Sequence, residues 1–262
     1  YKYYSESYSE TRLGIRPYFR KRLYEHWIGV LSYTLEEVDI SKVKAVAPAA
    51  IQRERGSRSI SKLSLTLTRD LRDNLIMPTS GSYIEARAAL AGGPLFGQTK
   101  YTMAGIGAAR YFPIAKSMSQ VFSIAGRTAT IGGFGGKEVP FFDLFFLGGS
   151  DDMRGFKYRD VGPKDEIGVD HEPLGGKTYG FATAEYSFAL TDIIRFAVFT
   201  DWGFVNSKTN DWSLGKYNAD WGIGLRILVM NAPLRLDLGF PITGDDYNRR
   251  GSQFQFSFGT VF

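Results

Sequence analysis

The sequence predicts an all-β protein, a transmembrane antiparallel β-barrel, on three observations. Apolar and polar residues alternate with a period of two along most of the chain. The alternating runs are long, most of them roughly ten residues or more, where soluble strands average about 5–6 and a tilted strand crossing a bilayer needs about 9–11. The gaps between runs are short and long in turn, as in barrels with tight turns on one side of the membrane and long loops on the other.

The first residues, Tyr1 to Tyr8, read as the tail of an earlier strand. About eleven strands follow, near 11–22, 26–37, 58–70, 81–92, 98–112, 119–131, 177–190, 193–204, 217–230, 232–241 and 252–262. In the third, Leu63, Leu65 and Leu67 alternate with Ser64, Thr66 and Thr68. In the fourth, Ile84, Ala86, Ala88 and Leu90 alternate with Glu85, Arg87 and Ala89. In the eighth, Ile194, Phe196 and Val198 lie opposite Arg195, Ala197 and Asp201. Leu234, Leu236 and Leu238 alternate with Arg235, Asp237 and Gly239 in the tenth, and Phe254, Phe256 and Phe258 with Gln253, Gln255 and Ser257 in the last. One phase suits lipid and the other a wet lumen, whereas a soluble sandwich would turn its apolar faces inward. Aromatic pairs near strand ends (Tyr18 and Phe19, Tyr111 and Phe112, Trp202 and Phe204) fit interfacial girdles. The gap at 132–176 is the longest.

No composition shift marks a linker, so residues 1–262 read as one barrel domain. An odd number of strands does not close an antiparallel barrel, and each unpaired backbone group facing hydrocarbon costs several kcal/mol. Either the count is off by a strand or strands are missing on the N-terminal side.

Composition narrows the function. Cysteine is absent and the histidines are His26 and His171, which excludes a thiolate metal site and argues against zinc. The net charge of +5 is scattered. Arg53, Arg55 and Arg58 with Glu54 read as a solvated loop, and no basic face interleaved with aromatics points to nucleic acid. Gly175-Gly176-Lys177-Thr178 falls short of a phosphate-binding loop, because His171 stands where a glycine is required. No nucleophile elbow occurs. Neither catalysis nor a cofactor is expected.

Several motifs stand out from the alternation. Asp70-Leu71-Arg72-Asp73-Asn74 precedes Pro78-Thr79-Ser80-Gly81. Gly136-Lys137-Glu138-Val139-Pro140-Phe141 leads to Phe146-Leu147-Gly148-Gly149 and Met153-Arg154-Gly155-Phe156. Gly162-Pro163, Gly175-Gly176, Ala184-Glu185-Tyr186, Phe199-Thr200-Asp201-Trp202-Gly203 and Gly222-Ile223-Gly224-Leu225-Arg226 follow in order, and the chain closes on Phe254-Gln255-Phe256-Ser257-Phe258-Gly259-Thr260-Val261-Phe262.

In this combination the chain resembles the barrel of the BamA superfamily of outer-membrane protein insertases. The resemblance covers essentially the whole chain and implies about the last eleven strands of a sixteen-stranded barrel, the remaining strands and the periplasmic POTRA domains lying upstream. Met153 departs mildly from the Val or Ile usual at the first position of the loop motif. By this resemblance the sixth extracellular loop folds into the lumen, Arg154 meets the carboxylates Glu185 and Asp201, Gly155 takes a backbone conformation closed to other residues and Phe156 packs beneath. The last strand, with Phe254, Phe256, Phe258, Gly259 and Phe262, forms one side of a lateral seam, where Gly259 would permit a kink. The implied function is insertion of outer-membrane β-barrel proteins by β-augmentation. The implied partners are unfolded outer-membrane proteins, outer-membrane lipoproteins, the lipid bilayer and lipopolysaccharide. The alternative within the superfamily is a pore that exports a polypeptide.

Overall fold

The computed structural model describes residues 2–4, 7–115, 119–166, 171–230, 232–244, 247–248 and 251–259. Its strands, in chain order, are β1 (Lys2–Tyr4), β2 (Ser9–Ile15), β3 (Tyr18–Tyr24), β4 (Trp27–Ser41), β5 (Gly56–Asp70), β6 (Gly81–Ala91), β7 (Tyr101–Ala115), β8 (Gln120–Gly133), β9 (Thr178–Ala189), β10 (Ile194–Asn206), β11 (Asn218–Val229), β12 (Ala232–Thr243) and β13 (Gln253–Phe258). Each pairs antiparallel with its neighbour in a single sheet ordered β1-β2-β4-β5-β6-β7-β8-β9-β10-β11-β12-β13, with β3 also on β4. Strands of up to 15 residues, such as β4, β5 and β7, exceed what a bilayer crossing requires.

β2 and β3 are the halves of one interrupted strand. β2 lies along Leu35–Ser41 and β3 along Trp27–Ser32 of β4. Pro17 sits at the break, where it has no N–H to give the ladder, and its carbonyl accepts from the Tyr33 amide at 3.0 Å. The single strand expected at 11–22 is corrected accordingly. The expectation that Tyr1 to Tyr8 carry an earlier strand is met by β1, which pairs Lys2–Tyr4 with Ser9–Thr11. The path therefore holds twelve strands among the described residues, an even number, and not eleven. The barrel is not closed: among the described residues β1 and β13 do not pair.

The burial pattern is inside out relative to a soluble domain. Leu31, Leu65, Ile106, Ile124, Val198 and Ile223 are exposed on the outer face, while Arg226, Asp201, Asp220 and Asp237 are buried on the inner one. Exposed apolar side chains on strands of this length suit a lipid solvent. The concave face is filled by the described residues of the β8–β9 loop, 134–166 and 171–177. It carries a 3-10 turn at Phe141–Asp143 and a minimal ladder pairing Phe145 with Gly176, Leu147 with Val161 and Lys164 with Pro173. Phe141 and Phe142 pack with Tyr8, Val38, Ile40, Ile51 and Ile60. The β4–β5 gap, read from sequence as loop over 38–57, is shortened by longer strands and contains a one-turn helix α1 (Ala49–Gln52) that buries Ile51 in this cluster.

Candidate functional site

The inner faces of β9 to β13 present a charged wall, and the tip of the β8–β9 loop lies against it. The loop can turn there because Gly148 and Gly149 have φ of 109° and 116°, a region that costs an ordinary side chain dearly. Asp152 then ties the turn. Its Oδ1 accepts the Gly148 amide at 2.6 Å and the Met153 amide at 2.7 Å, and its Oδ2 accepts Arg127 Nη2 of β8 at 3.1 Å. Burial pushes the Asp152 carboxyl above its ordinary range, against the pull of Arg127 and the two amides.

Behind the turn, Met153 and Phe156 are fully buried with Leu147, Val161, Phe181 and Val205. This apolar plug leaves Arg154 pointing at the wall. Its Nε donates to Asp201 Oδ2 at 2.8 Å and its Nη2 to Asp201 Oδ1 at 2.7 Å, a bidentate fork. Nη1 donates to Glu185 Oε2 at 2.8 Å, Nη2 also to Thr183 Oγ1 at 3.0 Å, and the backbone amide to Asp201 Oδ2 at 3.2 Å. The guanidinium carbon stands 3.4 Å from the centre of the Phe199 ring. Arg154, Glu185 and Asp201 are thus brought together, since Glu185 and Asp201 share the inward phase of adjacent strands.

The cluster extends beyond the three residues singled out from sequence. Glu185 Oε2 also accepts Arg226 Nη2 of β11 at 2.6 Å, and Arg226 Nη1 donates to Asp237 Oδ1 of β12 at 2.6 Å. Arg235 of β12 donates to the Ser150 carbonyl at 2.9 Å, and Gln255 Nε2 of β13 donates to the Phe156 carbonyl at 2.9 Å. Five consecutive strands therefore hold one loop. Three carboxylates (Glu185, Asp201, Asp237) alternate with two guanidiniums (Arg154, Arg226), so the desolvated charges nearly compensate. Asp237 could have been found in the sequence only as an inward-phase charge of β12, whereas Arg226 also ends the Gly222-Ile223-Gly224-Leu225-Arg226 motif, which gave no sign of its partners.

Gly155 needs a correction. Its φ lies outside the left-handed region; the requirement is space. Asp220, paired across from Asp201, is fully buried beside it, and a Cβ on Gly155 would run into the Asp220 Cβ. Gly239 of β12 completes the fit, because a Cβ there would lie 2.6 Å from the Arg154 carbonyl oxygen. A register shift at Ala219/Asp220 re-aims the wall at this point.

At the other candidate position, Phe254, Phe256 and Phe258 of β13 are 67%, 61% and 62% exposed on the outer face. The strand covers Gln253–Phe258 of the expected 252–262, and residues 260–262 lie outside the described residues. Gly259 follows with φ of 112°, and its amide donates to the Pro233 carbonyl at 2.9 Å. Phe262 lies outside the described residues.

Comparison with known proteins bears on the family and the fold. The Omp85 superfamily domain matches residues 2–262. The chain is 29% identical over 245 residues to a SAM50-like protein of Schizosaccharomyces pombe, covering 87% of this chain and 51% of that protein. It is 25% identical over 264 residues to the outer membrane protein assembly factor BamA of Nitratidesulfovibrio vulgaris, covering 99% of this chain and 33% of that one. The crystal structure of BamA from Haemophilus ducreyi lacking POTRA domains 1-3 shares its fold with a TM-score of 0.79 at 21% identity, over 96% of this chain and 55% of that chain. The chain thus spans about half or less of the length of these relatives. A match along nearly every residue, on a lipid-facing antiparallel sheet with an inward loop, establishes that the chain belongs to the Omp85 superfamily.

Proposed function

We propose that the protein is the membrane-embedded part of an outer-membrane protein assembly factor, which inserts unfolded β-barrel proteins through a lateral seam. The observation that carries this reading is the likeness to BamA along 99% of the chain. The outer membrane is the address that goes with that likeness and with the lipid-facing sheet. The last strand is one side of the seam. An incoming segment adds to its free edge by main-chain hydrogen bonds, and the substrate's own folding and burial in lipid supply the energy. No bond is made or broken, so no catalytic residue or cofactor enters. The loop carrying Arg154 braces the wall behind the seam while the edge is open. Outer-membrane lipoproteins serve as partners in the assembly complex, and the bilayer with its lipopolysaccharide is the medium.

The test is reconstitution. The full-length protein in liposomes, supplied with an unfolded outer-membrane protein, is expected to speed the appearance of the compact, heat-modifiable form on unheated gels. An unchanged folding rate, together with release of one cognate passenger across the membrane in cells, would overturn this reading in favour of an exporter.

A further inference from the structure

The inner wall carries a row of like charge that the loop does not neutralise. Arg195, Arg226 and Arg235 stand directly opposite one another across β10, β11 and β12, Arg195 paired with Arg226 and Arg226 with Arg235. Like charges at opposed cross-strand positions destabilise a sheet, so such a row calls for anions. The middle member has them: Arg226 meets Glu185 and Asp237, each at 2.6 Å. The outer two are poorly served. Arg195 Nη2 donates to the Ser119 carbonyl at 2.6 Å and to Ser187 Oγ at 3.3 Å, and no carboxylate lies within ion-pairing distance of it among the described residues. Arg235 has the Ser150 carbonyl, and Asp237 stands 3.6 Å away, already engaged by Arg226. The Nε of Arg235 is buried with no hydrogen-bond partner.

These three side chains line a cavity of about 160 Å³ together with Leu75 to Pro78 of the β5–β6 turn, residues 71–80. The turn is fixed by its own side chains. Asn74 Oδ1 accepts the Ile76 amide at 2.7 Å and the Met77 amide at 3.1 Å, and Asp73 Oδ1 accepts the Thr79 and Ser80 amides at 2.9 Å and 3.0 Å. Arg72, also at the cavity, is committed to Asp70 at 2.7 Å. Of the lining carboxylates, Glu185 is held by Arg154 and Arg226, Asp152 by Arg127, and Asp151 is exposed and accepts from Ser150 Oγ. The cavity therefore has one apolar side and one cationic side, with two guanidiniums to spare. It lies toward the end of the sheet where short connections join the strands, such as 190–193 between β9 and β10. A void of about 150 Å³ holds a benzene ring, so there is room for one acidic side chain and part of its neighbour.

We infer that this cavity binds a carboxylate borne by an extended polypeptide, the acidic group seated over Arg226 between Arg195 and Arg235 and the apolar residue beside it against Ile76 and Met77. Arg195 and Arg235 are two strands apart, about 10 Å between backbones, a span that two long side chains close on one shared carboxylate. Guanidiniums suit carboxylate and phosphate alike. A bare phosphate would leave the apolar turn without a partner, whereas an acidic residue next to an apolar one uses both sides. That the polypeptide is an unfolded substrate arriving at this end rests on the proposed assembly function; the site itself does not.

The test titrates the full-length protein in detergent into a dye-labelled five-residue peptide with aspartate between two leucines, followed by fluorescence anisotropy. The aspartate peptide is expected to bind about tenfold tighter than its asparagine counterpart. Arg195→Gln should remove most of that preference, and Ile76→Ser should weaken both peptides alike. Arg110→Gln, at an exposed position away from the cavity, should bind as the wild type does. With no peptide present, Arg195→Gln should leave the heat-modifiability midpoint unchanged or raised, because a repulsion is relieved, whereas loss of a structural brace would lower it. Equal affinity for the two peptides, a preference that survives Arg195→Gln, a lowered midpoint in that variant, or inorganic phosphate competing as well as unlabelled aspartate peptide would each overturn the inference. Insertion is read separately in the liposome assay, so failure of the site and failure of the assembly function are told apart.

Discussion

Arg154 concentrates more of the structure's charge–charge work than any other residue of the loop, because its fork meets two strands at once. Removing one partner of a buried ion pair costs about 3–5 kcal/mol, since the other charges stay behind unpaired. Arg154→Ala is therefore expected to lower the heat-modifiability midpoint sharply, and to slow substrate insertion in the reconstituted assay. Arg154→Lys should recover only part of the loss, because an ammonium cannot bridge both oxygens of Asp201 and still reach Glu185. Gly155 tests space where Arg154 tests charge. Gly155→Ala should cost about 1–3 kcal/mol by overpacking against Asp220, and Asp220→Gly in the same protein should return part of it. If Gly155→Ala proved silent in a thermal melt, the close approach of loop and wall would be wrong.

Among the elements, the alternation made the long strands legible in the sequence, since a period of two survives any error of a residue or two at the ends. Leu63 to Leu67 and Phe254 to Phe258 fall where the pattern places them. Legibility failed where structure depends on contacts the local pattern does not carry. Pro17 splits one strand into β2 and β3, yet the pattern runs through it. α1 is a single turn held by the burial of Ile51 against Phe141 and Phe142, about ninety positions away, so its own residues give little signal. The partners of Arg154 could be named from phase and family resemblance. Arg226, Asp237 and Gln255 could not, because joining them requires the register of four strand pairs. Gln255 can be examined at this scale. Gln255→Leu removes one hydrogen bond, worth about 1 kcal/mol. Hydrogen exchange should then quicken in β13 while β9 and β10 keep their protection; uniform quickening would contradict a local tie.

Across the whole molecule, stability is graded from the middle of the sheet to its margins. β7 to β11 are paired on both sides and covered on the inner face by the loop, whereas β1 and β13 each pair on one side among the described residues. Amides of β8 to β10 are expected to exchange last and those of β13 among the first, following the free energy of local opening. Protection of β13 equal to that of β9 would mean that this edge is not free. The loop is fixed where the sheet is strongest, through Glu185 and Asp201, and reaches its margin through Gln255. That last contact makes the loop and the edge strand a mechanical pair. A hydrogen bond weakens steeply once donor and acceptor part by a fraction of an ångström, so a swing of β13 pulls on the Phe156 carbonyl before it disturbs any other part of the plug. The tie at Gln255 is thus a fuse rather than a cable: it parts early, so that movement of β13 is kept from the Arg154 bonds to β9 and β10.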